Sequence, residues 1–147
     1  MTDSYILYLQ TDLPVDAVLE RVFEPKSISP LEGTNLLYAR GHVYLAHAQP
    51  LPDTMQERYL AQFGFPASIS IRYFPDGVSS VKTAMTILAE GILRWLYDGE
   101  DNLLLSANNT VDVIKRLDGL VMVNTSHQFW QYDRLKLVDL PYHDMKV

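Results

Sequence analysis

The chain of 147 residues contains no cysteine. This absence excludes disulfides, thiolate catalysis, iron–sulfur clusters and cysteine zinc sites. Its seven glycines occur singly, so no glycine-rich loop that could cradle a phosphate is present, and no Gly-x-Ser-x-Gly sequence exposes a nucleophilic serine. The commonest sequence signatures of catalysis are therefore missing.

Long apolar runs are also missing. No stretch approaches the roughly 18 apolar residues that a membrane-spanning helix needs. Residues Met1 to Ser4 include an acid and no basic segment, so we expect no signal peptide and a cytoplasmic location. The formal net charge of −6 disfavours nucleic-acid backbones as the main partner and is compatible with a basic protein partner.

The arrangement of apolar residues predicts an α+β fold. Tyr5–Leu9 is typical of a buried strand, and a helix with one apolar face follows between Val15 and Phe23. Residues 68–74 alternate as a strand does, and a longer helix follows from Val81 to about Tyr97. Further strands are predicted at residues 35–40 and 42–48.

Three short apolar runs near the C-terminal end predict an antiparallel meander. They lie at residues 103–105, 111–116 and 120–124, and the last two are joined by Asp118-Gly119, a favoured tight-hairpin pair. Together the elements predict a single domain over residues 1–147. Its expected architecture is a two-layer sandwich, with a mostly antiparallel sheet and two main helices on one face.

Some segments are less decided by their sequence. Residues 25–33 and 49–57 are rich in turn-forming residues and are predicted as loops. Tyr59–Phe65 fits either a helical turn or an irregular packed segment. Gly91, inside the longer helix, suggests close packing of that helix on the sheet. The apolar tail from Gln128 onwards is expected to pack back or to form a final strand.

An acidic group, Asp98, Glu100 and Asp101, follows the longer helix. Such carboxylates could bind a cation, act as paired catalytic acids, face a partner or form a solvated turn. The spacing does not match a calcium-binding loop. Lys115 and Arg116, beside Asp118, are predicted to be exposed charges on a strand.

The histidines do not have the spacing of a metal site. His42 and His47 are five residues apart on one predicted strand, so they should point to opposite faces. No metal or other cofactor is predicted. Among the aromatic residues, most are expected in the core, whereas Trp130 and Tyr132 are candidates for exposed binding anchors.

Several local sequences resemble the swarm-inhibition (Sit) immunity proteins, which protect bacteria against toxins delivered by kin. The similarity lies in Tyr5–Leu9 with Leu13-Pro14, in Ile69–Phe74 followed by Asp76, and in a longer C-terminal stretch. That stretch runs through Ile87-Leu88 to Leu96, Asp98-Gly99-Glu100, the leucine run, Gly119–Asn124 and Phe129-Trp130. The resemblance implies a non-catalytic cytoplasmic protein that binds one toxin tightly and blocks it.

The sequence hypothesis is therefore a toxin-binding immunity protein. Asp98, Glu100 and Asp101 would steer the approach of a basic toxin face, and Trp130 and Tyr132 would anchor it. A small-ligand-binding or regulatory module, with its ligand between sheet and helices, is the alternative. A cofactor-independent enzyme that uses a carboxylate and a histidine is a third possibility. The sequence does not indicate an oligomeric state.

Overall fold

One nine-stranded sheet forms the centre of the protein. The computed structural model describes residues 4–77 and 80–145. The strands, in chain order, are β1 (Tyr5–Leu9), β2 (Ser27–Pro30), β3 (Leu37–Arg40), β4 (Tyr44–Pro50), β5 (Ile69–Pro75), β6 (Leu103–Ala107), β7 (Val111–Leu117), β8 (Leu120–Val123) and β9 (His143–Asp144). Their order across the sheet is β2-β3-β4-β5-β1-β6-β7-β8-β9. Neighbours are antiparallel except for the short parallel pair β8-β9.

Three helices cover parts of this sheet: α1 (Val15–Phe23), α2 (Asp53–Phe63) and α3 (Val81–Asp98). Helices α1 and α3 pack against each other and against one face, where they enclose the larger apolar core. This arrangement confirms the predicted α+β fold with two main helices on one face. Helix α2 belongs to a smaller apolar cluster that also contains Ile6, Tyr8 and Leu104.

Strand β1 is central because both of its faces are covered. Tyr5, Leu7 and Leu9 point into the larger core, whereas Ile6 and Tyr8 point into the cluster beneath α2. Successive side chains of a strand point to opposite faces. A strand buried on both faces must therefore be apolar throughout, as this continuous run is.

Two predicted loops contain regular structure. Residues 27–30, expected to be part of a loop, form the edge strand β2, which pairs with β3 alone. The segment around Tyr59, left undecided by its sequence, lies in α2, and this helix begins at Asp53 within the predicted second loop. The local sequence of both segments favours regular structure only weakly, and contacts with neighbouring elements stabilise it. Strand β2 forms hydrogen bonds to β3, and α2 covers an apolar surface of the sheet.

Gly91 permits a close approach between helices rather than between helix and sheet. A Cβ atom at this position would overlap the carbonyl oxygen of Val22 in α1. The prediction of close packing is confirmed, but the partner is α1 and not the sheet. The missing side chain therefore sets the distance between the two helices of the larger core.

The C-terminal tail packs back onto the domain, as expected. It forms two 3-10 turns, Gln128–Trp130 and Arg134–Leu137, before the short strand β9. The ring of Phe129 lies 5.2 Å from that of Tyr5, so the tail completes the core over β1. In the part of the chain that the structure describes, no helix is long and apolar enough to cross a membrane.

Candidate functional site: an acidic turn between two grooves

The three acids predicted from sequence lie at the end of α3. We call residues Asp98–Asn102 the acidic turn. Asp98 ends the helix, and Glu100 and Asp101 lead into β6. All three acidic residues are exposed. The sequence prediction of a polar turn at this position is therefore confirmed, and its carboxylates are accessible to a partner.

Arg116, from the neighbouring strand β7, fixes the backbone of this turn. Its Nε and Nη2 atoms donate to the carbonyl oxygen of Asp101 at 2.9 and 2.7 Å, and Nη1 donates to that of Leu96 at 2.9 Å. Because Leu96 lies in the last turn of α3, the guanidinium also places positive charge beside the negative end of the helix dipole. No basic residue of α3 itself occupies that last turn.

Arg116 is buried, which corrects the prediction that it forms an exposed charge pair with Lys115. Burial lowers the pKa of Arg116, and the charges of Asp101 and Glu100 oppose that shift. The two acids are thus close enough to interact with the guanidinium. The hydrogen bonds nevertheless go to backbone carbonyls, so the carboxylates remain available.

Asn102 holds the other end of the turn. Its side-chain nitrogen donates to Gln10 Oε1 at 2.9 Å, and its Oδ1 accepts from the backbone N–H of Asp118 at 2.8 Å. The backbone N–H of Gln10 also donates to the Asn102 carbonyl at 3.1 Å. The turn is therefore tied to the end of β1 and to the β7-β8 hairpin, and its acids project from a fixed backbone.

The acidic turn forms a ridge between two grooves. The larger one, of about 720 Å³, lies between the end of α3, the β7-β8 hairpin and the tail, and is lined by Leu96, Tyr97, Glu100, Asn102, Arg116, Asp118, Gly119, Val121, Leu140 and Pro141. The smaller one, of about 370 Å³, is lined by Gln10, Thr11, Asp12, Gln56, Pro66, Ser68, Glu100, Asp101 and Asn102. The larger groove combines apolar walls with an acidic rim, whereas the smaller is mainly polar.

The carboxylates of the ridge form no ion pair among the described residues. Within residues 4–77 and 80–145, the ion pairs join Arg40 to Asp76 and Lys136 to Asp133. None involves Asp98, Glu100 or Asp101. In the same described segments, no group of three or more histidine, aspartate or glutamate side chains is arranged to hold a metal ion.

The two predicted aromatic anchors have different environments, and neither lies on the acidic ridge. Trp130 is only 5% exposed and packs edge-on to Phe129 at 4.9 Å. The premise that its ring is exposed for binding is therefore wrong, because the 3-10 turn directs it into the core. Tyr132 is 64% exposed, and its ring lies against Lys82 Nζ at 4.5 Å.

Tyr132 is distant from the acidic turn. Lys82 lies in the first turn of α3, whereas Asp98 is its last residue. At 1.5 Å per helical residue, the two ends are roughly 24 Å apart. The fold therefore separates Tyr132 from the three acids, and one small contact surface cannot include both.

Tyr97 is an exposed aromatic residue beside the acidic turn that the sequence prediction did not select. Tyr97 is 52% exposed, and its hydroxyl accepts a hydrogen bond from the Asp139 N–H at 3.0 Å. Leu120, at the start of β8, is 46% exposed, but it points to the sheet face opposite Val121 and so away from the larger groove. The sequence does contain a signal that would have selected Tyr97: it immediately precedes Asp98 and lies outside the apolar face of the helix.

The prediction that His42 and His47 lie on one strand is wrong for His42. His42 precedes β4 rather than lying in it, and its Nδ1 is 3.4 Å from Lys26 Nζ. His47 lies within β4, and its ring contacts Tyr38 at 4.3 Å between centroids. His127 caps the first 3-10 turn through Nδ1, which accepts from the Phe129 N–H.

Comparison with known proteins does not identify a relative. No protein-family model matches the chain, and neither the curated proteins nor the solved structures contain a match.

Proposed function

We propose that this protein is a non-catalytic cytoplasmic immunity protein that binds a toxin and neutralises it. The observation that carries the proposal is the acidic turn, whose three carboxylates are exposed, lack ion-pair partners among the described residues and project from a backbone fixed by Arg116. A pre-organised acidic surface suits a basic protein partner because little further ordering is needed on binding. The resemblance to the Sit proteins supplies the toxin as the kind of partner.

The larger groove gives this surface a place for an anchor. Its apolar wall residues Leu96, Val121 and Leu140 lie beside Glu100. Protein interfaces commonly combine an apolar centre with a charged rim, and the rim governs the association rate. We therefore expect a basic segment of the toxin to lie along the ridge with an apolar side chain in the groove.

Tyr97 replaces Trp130 as the proposed anchor next to the ridge. Its side chain is exposed and lines the larger groove, and an aromatic residue at an interface centre often carries a large share of the binding energy. Tyr132 remains a proposed contact only for a partner large enough to span the length of α3.

Protection of cells would test the proposed function directly. The products of adjacent reading frames would be induced one at a time in naive cells, with and without this chain, and growth would be scored. Rescue from one toxic product, together with capture of that product by the purified protein, is the expected result. Toxic products from which the chain gives no rescue would contradict the proposal.

Neutralising the acidic turn would then test the site. We expect the triple variant Asp98→Asn, Glu100→Gln, Asp101→Asn to slow toxin association by about tenfold or more at low salt, since steering contributes on the order of 10–1,000-fold. The wild-type advantage should shrink as salt rises, because salt screens exposed charges. Stopped-flow association over a salt series would measure this effect.

The matched control removes the same number of charges elsewhere. Glu20, Glu32 and Glu57 are exposed and lie in α1, the β2-β3 connection and α2. Changing all three to Gln gives the same net charge as the acidic-turn variant. A difference in association rate between the two variants therefore shows that the position of the charges matters. Equal association rates for both would sink the assignment of the site to the acidic turn.

A further inference from the structure

The sheet face opposite α1 and α3 is only partly covered. Helix α2 protects β1 and β6 through Ile6, Tyr8 and Leu104. On the neighbouring strands β3 to β5, the same face carries a different set of side chains, which we call the open face: Tyr38, Arg40, Leu45, His47, Arg72 and Phe74. Their alternate neighbours Ala39, Ala46 and Tyr73 are buried in the larger core.

The strand register arranges the open face in two rows. Tyr38 pairs with His47, which pairs with Arg72; Arg40 pairs with Leu45, which pairs with Phe74. The His47 ring touches both neighbouring aromatic rings, at 4.3 Å from Tyr38 and 5.2 Å from Phe74. We call these three rings the aromatic platform: they cross three strands, with planes inclined by 66° and 57° to one another, and two guanidinium groups flank them.

The charge on this platform is positive although the whole chain is acidic. Arg40 lies 3.7 Å from Asp76, and both side chains remain well exposed. Arg72 is exposed and takes part in no ion pair within residues 4–77 and 80–145. Burial and the charge of Arg72 both lower the pKa of His47, so its ring stays neutral at neutral pH and offers a flat surface with one donor and one acceptor.

A groove of about 360 Å³ opens on the edge of the platform. It is lined by Tyr38, Arg40, Leu45 and His47, with the hydroxyl groups of Ser27 and Ser29 on β2. Small-molecule sites commonly have volumes of about 300–1,000 Å³ and combine apolar walls with a few polar groups. This groove therefore has the size and composition of a site for one small ligand.

We propose that the open face binds a mononucleotide, with the base stacked on Tyr38, the inclined His47 ring at its edge and the phosphate at Arg40. Aromatic side chains stack on nucleobases, and a guanidinium matches a phosphate with two parallel hydrogen bonds. The serine hydroxyls would lie beside the sugar. Arg72, beyond His47, adds positive charge to the same face.

A single nucleotide fits this face better than a nucleic-acid strand. Strand binding requires a track of several cations along the phosphate backbone, whereas the open face has two arginines, one of them next to Asp76. The net charge of −6 would also repel a long polyanion. The open face lies on β3 to β5, whereas the acidic turn leads into β6 on the other side of β1, so the two proposed surfaces share no residue.

Nuclear magnetic resonance titration of the 15N-labelled full chain with AMP would test the proposal. The expected result is saturable shifts confined to the amides of β2 to β5, with weaker effects from adenosine or inorganic phosphate alone. No shifts at millimolar AMP, or shifts centred on another part of the protein, would overturn it. Adenosine binding as tightly as AMP would also overturn it, because the phosphate would then have no role.

Two variants and one control sharpen this test. Arg40→Gln and Tyr38→Leu should each weaken AMP binding by about fivefold or more, through loss of the phosphate contact and of stacking. Arg58→Gln, which removes an exposed arginine from α2, should leave the affinity unchanged. Equal weakening by all three variants would show a general charge effect and contradict a built site.

Two further ligands separate the other possible occupants. A single-stranded oligonucleotide should bind no more than about tenfold more tightly than AMP if the site holds one nucleotide. Much tighter binding of the oligonucleotide would show that the site binds a nucleic-acid strand, and the mononucleotide proposal would be rejected. Binding of an acidic peptide to the same amides, in the absence of any AMP effect, would assign the face to a protein and reject the nucleotide.

Discussion

Replacing Arg116 by methionine should loosen the acidic turn and lower the stability of the whole domain. The guanidinium makes three hydrogen bonds to the carbonyl oxygens of Leu96 and Asp101. Hydrogen bonds to charged groups contribute about 1.5–3 kcal/mol each. Because methionine matches the aliphatic part of the arginine side chain and has no charge, the variant removes these bonds and keeps the packing of that part.

Part of that loss should be offset by the desolvation cost that the variant avoids. Burial lowers the pKa of Arg116, which means that its environment disfavours the charged form. Two of its three hydrogen bonds also share the Asp101 carbonyl oxygen, so they count for less than two independent bonds. We therefore expect the free energy of unfolding to fall by about 2–3 kcal/mol.

Denaturant unfolding followed by tryptophan fluorescence would measure this change, because Trp95 and Trp130 are both buried. At this chain length the loss corresponds to a fall in Tm of roughly 4–12 °C. Amide hydrogen exchange should accelerate first in the acidic turn and in the last turn of α3. Lys115→Met, one residue away in β7 and only half-buried, is the control and should change stability by less than about 0.5 kcal/mol.

The outcome that would refute this argument is also specific. If Arg116→Met unfolds within about 0.5 kcal/mol of the parent protein and the turn exchanges no faster, the three hydrogen bonds do not hold the turn. The pre-organisation invoked for toxin binding would then lose its physical basis. If the variant is as stable as the parent protein but its amides exchange faster in the turn alone, Arg116 orders the turn without stabilising the whole domain.

Two further predictions concern packing and pH. Gly91→Ala should lower the free energy of unfolding by about 1–3 kcal/mol, because the new Cβ would press on the Val22 carbonyl. Gly99→Ala is the control and should be nearly neutral, because the nearest atom to its Cβ is 3.9 Å away. Equal effects of the two variants would contradict the close contact between the helices. Burial raises the pKa of Tyr44 from its ordinary value of 10.0 to about 12, so the folded state retains the proton longer and stability should fall as pH rises between these values. Denaturant midpoints across that range should fall less steeply in Tyr44→Phe, which also loses the hydrogen bond to the Phe23 carbonyl; an unchanged slope would rule out this tyrosine as a contributor.

The strongly periodic elements were predictable, and the weak ones were not. The continuous apolar run of β1 and the helical spacing of α1 and α3 follow from local pattern. In contrast, the short strand β2 is mostly exposed, and α2 buries only Phe63 fully along its length. Neither has enough apolar residues to specify itself, so pairing with β3 and the surface of β1 decide their structure.

The candidate sites show the same division. Asp98, Glu100 and Asp101 are neighbours in sequence, and an acidic turn after a helix could be expected to be exposed. The orientation of Trp130 could not be expected in this way, since a tail rich in aromatic residues has no local signal for which ring enters the core. Arg116 likewise has no sequence feature that distinguishes a buried guanidinium from an exposed one.

The sequence by itself determined the class of fold, the positions of the main helices and the acidic character of the turn, because these depend on periodicity and composition within short segments. Only the tertiary structure decided that Arg116 fixes this turn, that Tyr132 lies at the opposite end of α3 and that Tyr38, His47 and Phe74 share one face. Those relations join residues that are not neighbours in sequence, and they arise from the register and order of the sheet and from the packing of the tail against α3. Local pattern does not encode them because hydrogen-bonded pairing and core packing select one arrangement among many.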